Sequence, residues 1–328
     1  MIILGIETSC DETSAALVRD GEEIIANVVA TSLKEHEKYG GVIPEIASRR
    51  QLESITAVVE EAMHKADLGI SDIDAVAVTK EPGLIGSLLV GISFARALGW
   101  AAQKPVVDVN HIEAHMYACF LRPEKTELEL PSLPAVGLVV SGGHTSLYLI
   151  KEFRSFELLG QTRDDAAGEA YDKVARIMGL GYPGGPVIDR LARSCISTDV
   201  KFTPAKMSGS YDFSFSGIKT AVLYHLQKNP EAVKTPEKIA CAFQKSVVDI
   251  LVEKCLTACE GTGVRTIVAG GGVAANSSLR DILRSESEKK GIKVFFPPIP
   301  LCMDNAAMIA GLGFHLLKQE KEGPNGTE

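Results

Sequence analysis

Two stretches of this chain match each other without a gap. Residues 4–18 read LGIETSCDETSAALV and residues 136–150 read VGLVVSGGHTSLYLI, at a constant spacing of 132 residues. Gly5 and Gly137, Ser9 and Ser141, Thr13 and Thr145, Ser14 and Ser146, and Leu17 and Leu149 are identical, and the apolar ends agree in type. Each stretch reads as a strand, a tight polar turn and a second strand. A second pair follows in the same order. AVTKEPGLIGSL at 77–88 runs parallel to VAGGGVAANSSL at 268–279, each a strand, a loop and the start of a helix. One such match is within the reach of chance; two in conserved order point to a duplicated domain.

A duplicated α/β unit that opens on a hairpin predicts two tandem lobes facing a central cleft. Both hairpin turns then point into the cleft, where their N–H groups can grip the phosphates of one nucleotide. This arrangement resembles the actin, sugar-kinase and Hsp70 superfamily (ASKHA, RNase H-like). The stretch RPEKTELELPSLP at 122–134, charged and with three prolines, reads as the linker. The expected N-terminal lobe is 1–121 plus about 305–328. The expected C-terminal lobe is 135–304, with an inserted helical substrate-binding segment at about 160–235. A chain of 328 residues with 45% apolar and 23% charged residues has enough core for two domains.

Net charge is −8, which excludes a nonspecific polyanion binder. Any nucleic-acid contact must come from a local patch or a partner. The candidates are Lys34, His36 and Lys38 with Arg49 and Arg50, and Lys201 with Lys206, each of which also reads as ordinary solvated surface. The seven cysteines form no C-x-x-C pair and are odd in number, so reduced thiols and a cytoplasmic location are expected. The start of the chain has no basic segment of a signal peptide. The best candidate for a membrane span, 87–102, is interrupted by Arg96.

Several segments carry chemistry. In HIEAH, His111 and His115 lie four apart and so share one helix face, where they can hold a metal. A metallopeptidase of the H-E-x-x-H type needs Glu directly after the first His; Ile112 stands there, and Glu113 points away from the histidine face. Asp304, entering the helix after PPIPLCM, reads either as an N-cap or as a third ligand. A His, His, Asp set suits Zn or Fe and leaves positions open for substrate oxygens.

The turn around Ser141, Gly142 and Gly143 suits an anion, or is a tight turn that needs positive φ. In the first turn, Asp11 and Glu12 would repel a bare triphosphate and suit general-base work near a less charged electrophile. DDAAGEAYDK at 164–173, GYPGGP at 181–186 and Asp189 read as a ribose site, although Asp172 could instead pair with Lys173 or Arg176. Gly270, Gly271 and Gly272, after an apolar strand and before Asn276, form a loop that lets a nucleotide approach.

Taken together, ETSCDETSAA, HIEAH, VSGGHT, DDAAGEAYDK, GYPGGP, GGGVAANSSLR and the Asp304 segment resemble one family over essentially the whole chain. It is the TsaD/Kae1 family of tRNA N6-adenosine threonylcarbamoyltransferases, of bacterial TsaD type, formerly labelled O-sialoglycoprotein endopeptidase. The resemblance implies transfer of a threonylcarbamoyl group from threonylcarbamoyl-AMP to N6 of adenosine 37 in tRNAs that read codons starting with A. The product is t6A, and AMP is released.

The resemblance also implies a divalent metal ion (Fe2+ or Zn2+) on His111, His115 and Asp304. It implies an adenylate site at Val139, Val140, Ser141, Gly142, Gly143, Asp172, Gly185, Asp189, Gly271, Gly272 and Asn276. Ser9, Asp11 and Glu12 would lie close to the reacting groups, with Asp11 or Glu12 as the proton acceptor. The implied partners are tRNA, a TsaB-like paralogue of the same fold and a TsaE-like P-loop ATPase, with contact expected on the helical face at 49–64 and no membrane involved. The alternatives are an ATP-dependent small-molecule kinase of the same fold, a metallopeptidase, and a non-catalytic nucleotide-sensing scaffold.

Overall fold

A computed structural model describes every residue except 204–206, 208 and 323–328, with backbone only for 319–322. Packing divides the chain into two units, Met1–Leu130 with Pro297–Glu328, and Pro131–Phe296. The second unit thus ends at Phe296 and not at 304, and Asp304 belongs to the first. Lys206 lies outside the described residues.

The first unit is built on a six-stranded sheet of β1 (Ile2–Glu7), β2 (Glu12–Arg19), β3 (Glu23–Thr31), β4 (Ala75–Glu81), β5 (Val106–Asn110) and the two-residue β6 (Arg122–Pro123), in the order β5-β4-β1-β2-β3-β6. The second is built on β7 (Ala135–Val140), β8 (Thr145–Glu152), β9 (Ser155–Gln161), β10 (Thr266–Gly270) and β11 (Lys293–Phe295), in the order β11-β10-β7-β8-β9. The helices are α1 (Leu33–Glu37), α2 (Pro44–Ala66), α3 (Ile85–Ala102), α4 (His111–Tyr117), α5 (Ala167–Ile177), α6 (Gly184–Ser194), α7 (Ser216–Lys228), α8 (Pro236–Thr262), α9 (Ser277–Glu288) and α10 (Ala306–Glu322).

The duplication extends to register. The antiparallel pairs Ile3↔Val18, Leu4↔Leu17 and Gly5↔Ala16 recur as Ala135↔Ile150, Val136↔Leu149 and Gly137↔Tyr148. The parallel pairs Leu4↔Val76 and Gly5↔Ala77 recur as Val136↔Ile267 and Gly137↔Val268. A slip of one residue would turn every side chain to the opposite face, so the match fixes the same in/out pattern in both units.

The central strands are apolar throughout because helices cover both faces of the sheet. In the first unit, Leu4, Ile6, Ala15 and Leu17 pack with Ile55, Val58, Val59 and Ala62 of α2. The other face carries α10 and α4. Gly5 makes that contact close: a Cβ there would lie 2.2 Å from the Ala306 carbonyl oxygen. The start of α10, and the Asp304 segment before it, are thereby seated on the first strand.

Helix α3 buries Ser87, Gly91, Ala95 and Gly99, a stripe of small residues four apart that lets it lie close to β4 and α2. It is also long and apolar enough by composition to cross a membrane, with a mean hydropathy of 1.5. Its packed stripe and the Arg96–Asp108 ion pair at 3.0 Å tie it to the sheet. Its outer face leaves Ile85 and Leu89 exposed, and Leu52 of α2 is exposed as well.

Candidate metal centre and nucleotide-binding residues

Helix α4 starts where it does because Asn110 caps it, its side-chain oxygen accepting from the N–H groups of Ile112 (2.9 Å) and Glu113 (3.2 Å). The helix then brings His111 and His115 onto one face, with ring centroids 4.5 Å apart. Asp304 Oδ1 lies 3.1 Å from His115 Nε2 and 3.6 Å from His111 Nε2. One ligand atom from each residue falls within 4.8 Å of the others, all in the first unit. Asp304 is not the N-cap of α10. Asn305 takes that role, accepting from Met308 N–H at 3.2 Å.

These residues fit a divalent cation. His115 is buried, and neither of its ring nitrogens has a hydrogen-bond partner, although Nε2 faces the Asp304 carboxylate. A buried imidazole without hydrogen bonds, aimed at a second imidazole and a carboxylate, is a converging set of lone pairs. On the far side of His111, Nδ1 lies 3.0 Å from Glu7 Oε2 and 3.2 Å from Ser9 Oγ. Metal-binding histidines are oriented by such a carboxylate, which fixes the tautomer and leaves Nε2 to the ion. Glu7 is fully buried and is held by the Ser9 N–H and the Thr79 hydroxyl.

The electrostatics point the same way. Burial disfavours an imidazolium at His111, but the carboxylates of Glu7 and Asp304 outweigh it and raise its pKa to about 9. Burial, then Asp304 and Asp11, push Glu12 up to about 10. Crowded buried carboxylates repel one another, and without positive charge one of them takes up a proton. Glu113 is raised to about 7 by burial and by Glu81, and it stands outside the ligand group.

The first turn carries Ser9, Asp11 and Glu12. Asp11 is buried and Glu12 half-buried. Loop 82–84 lies against the turn: Leu84 N–H donates to the Ser9 carbonyl at 2.8 Å, and a Cβ on Gly83 would lie 2.7 Å from that oxygen.

The remaining candidates lie in the second unit. Gly142 and Gly143 do not have positive φ, and a Cβ at either would meet nothing within 4 Å. The need for a strained turn therefore does not explain them, and the open backbone suits close approach of a ligand. Val139 and Val140 end β7 just before this turn. Gly271 is different: its φ is +93°, and a Cβ would lie 2.4 Å from the Val140 carbonyl oxygen. Gly272 opens the short 3-10 turn that leads to Asn276, which caps α9 by accepting from Leu279 N–H at 3.0 Å.

Asp172 accepts from Gly184 N–H at 2.7 Å and so fixes the start of α6, where Gly185 has open space at its Cα. Burial raises the Asp172 carboxyl. Lys173 is taken by Asp165 and Glu169, which removes it as the partner considered for Asp172. Asp189 accepts from the Ser277 hydroxyl (2.7 Å), Gln244 (3.1 Å) and Arg193 (3.0 Å). Gln244, which no motif singled out, also accepts from Asn276 Nδ2 at 2.8 Å and so links the two candidate nucleotide contacts. Its only sequence signal is a polar residue at a core position of α8.

The basic patch is smaller than expected. His36 is fully buried, bonded to the Ser32 hydroxyl and Ile43 N–H. Arg50 is engaged by Glu35 and Glu53. The seven cysteines are present as reduced thiols, as expected.

The fold of two related α/β units is shared with solved structures at low identity. The (R)-2-hydroxyglutaryl-CoA dehydratase component A of Acidaminococcus fermentans aligns with TM-score 0.56 and 15% identity, over 97% of this chain and 99% of that one. The HypF of T. kodakarensis aligns with TM-score 0.64 and 13% identity, over 97% of this chain and 48% of that one. The chain thus shares with these proteins a fold of two related α/β units, here furnished with a His, His, Asp group.

Within that fold the sequence is specific. The profile described as TsaD: tRNA N6-adenosine threonylcarbamoyltransferase matches residues 23–311, and the chain belongs to that family. A tRNA N6-adenosine threonylcarbamoyltransferase of Syntrophus aciditrophicus is 50% identical over 98% of this chain and 94% of its own length. That of Symbiobacterium thermophilum is 51% identical over 96% of this chain and 91% of its own.

Proposed function

We propose that this chain transfers the threonylcarbamoyl group from threonylcarbamoyl-AMP to N6 of adenosine 37 in tRNAs reading codons that start with A, forming t6A and releasing AMP. Convergence of His111, His115 and Asp304 around unbonded imidazole nitrogens carries this reading, together with family membership. His111, His115 and Asp304 hold one Fe2+ or Zn2+, and their chemistry accepts both. The ion, when bound, polarises substrate oxygens and stabilises the charge that develops on them.

The open backbone from Val139 to Gly143, with Gly185, Gly271 and Gly272, admits the adenylate. Asp172, Asp189 and Asn276 orient it, which lowers the entropic part of the barrier. The exocyclic amine of adenine is a poor nucleophile, and Asp11 or Glu12 accepts its proton during attack while Ser9 stands beside the His111 ring.

The acidic chain requires help with a polyanionic substrate. A TsaB-like paralogue docks on the exposed Leu52, Ile85 and Leu89 of α2 and α3, and a TsaE-like P-loop ATPase completes the cycle in the cytoplasm. The test is a reconstituted reaction of tRNA, threonylcarbamoyl-AMP and candidate partners, read by nucleoside mass analysis. The expected result is modified adenosine 37 with stoichiometric AMP. Unmodified tRNA from the complete mixture, or a wild-type rate after loss of all three ligands, overturns the reading.

A further inference from the structure

Gln51 is fully buried in the middle of α2, between the half-exposed Arg50 and the exposed Leu52. Its side-chain Nε2 donates toward three carbonyl oxygens of the first turn, those of Thr8 (3.3 Å), Cys10 (3.0 Å) and Glu12 (2.9 Å). An amide NH2 has two hydrogens, so three acceptors share them. The reverse orientation would set the amide oxygen against those same carbonyls, so the geometry admits only this one.

The opposite atom, Oε1, is buried without a hydrogen-bond partner. An orphaned acceptor opposes stability, and an apolar side chain of the same length would remove that defect. The residue is therefore poorly explained by packing and well explained by what its NH2 grips. Neighbouring groups act on the same turn: Thr8 Oγ1 donates to the Ser87 carbonyl of α3 at 2.8 Å, and Ser54 Oγ of α2 donates to Thr13 Oγ1 at 3.0 Å.

We propose that Gln51 is a positioning residue for the transfer reaction: its amide, rooted in α2, fixes the backbone from Thr8 to Glu12 and thereby aims Ser9, Asp11 and Glu12. This rests on the reading of the first turn given above. Gln51 touches no substrate; it acts through the turn. Misplacement of reacting groups by an ångström can cost on the order of 100-fold in rate while binding is spared.

The test is Gln51→Met in the full chain, assayed with its partners. The expected result is a kcat lowered by about 10- to 100-fold, with KM for threonylcarbamoyl-AMP, bound metal and Tm close to wild type. Amide hydrogen exchange supplies the second readout: residues 8–13 should exchange faster while β1, β4 and β5 keep their protection. A merely structural role would raise exchange across the sheet and lower Tm. Wild-type kcat in the variant, or exchange that is unchanged or rises evenly, overturns the proposal. If the wild-type chain itself modifies no tRNA, the functional reading fails, and the exchange arm still decides whether Gln51 holds the turn.

Discussion

His111 is gripped from two sides, and the two grips make different predictions. Removing a ligand by His115→Ala or Asp304→Ala should abolish bound metal and lower transfer by more than about 100-fold, as checked by elemental analysis and AMP release. Changing the orienting group by Glu7→Gln leaves all three ligands in place. It should weaken the metal by about 10- to 100-fold, read in a chelator competition. The histidine pair was legible because residues four apart share a helix face. Asp304 was legible only as one of two options, since nothing local distinguishes a cap from a ligand; Asn305 caps α10, which removes the first option. Glu7 and Gln51 were not legible. A glutamate at a strand end and a glutamine on an amphipathic helix look solvated until tertiary packing buries them.

At the scale of elements, the glycines divide by what surrounds them. Gly143→Ala should leave Tm within a degree or two and raise KM for threonylcarbamoyl-AMP, because no atom of the fold obstructs the new methyl. Gly5→Ala should instead destabilise by about 2 kcal/mol or more, since α10 must shift from β1, and should loosen the metal along with it. Both glycines sit in matched hairpins, but the sequence marks only Gly143 as a ligand contact; the close approach of α10 at Gly5 appears only on folding.

Helix α10 also carries a pH-sensitive contact. His315 Nε2 lies 2.9 Å from the Tyr117 hydroxyl, which donates to the Gly21 carbonyl at 2.9 Å. Burial, then Lys318, lower the His315 pKa to about 4. The unfolded chain takes up this proton first as the pH falls. Stability from this site is therefore complete above about pH 6.5 and is lost as the pH falls toward 4. Urea midpoints measured from pH 7 to 4 should show the decline, and His315→Gln should flatten it. The strand–turn–strand repeats were readable as short apolar runs around a polar turn. Strand β3, with its mixed exposure, gave no clean alternation to read.

For the whole molecule, charge sets the expectation. The net charge is −8, and Arg50 of the candidate basic patch is already paired with Glu35 and Glu53. The chain's own affinity for tRNA should depend shallowly on salt, with a log–log slope smaller in magnitude than about 4, and addition of the proposed partner proteins should steepen it. Filter binding across a salt series measures both. The duplication was visible as a constant spacing, and the strand registers show why it survives: the same in/out pattern must be kept in each sheet. That the candidate metal ligands all fall in one unit was less visible, because 297–304 return to the first sheet only through tertiary packing. This return has a consequence for biosynthesis. A ribosome exposes the imidazoles at 111 and 115 long before it reaches the carboxylate at 304, so emerging chains display two donors and no third. A metal centre built on these three residues would mature late in translation, and chains stalled within the second unit should copurify without stoichiometric metal.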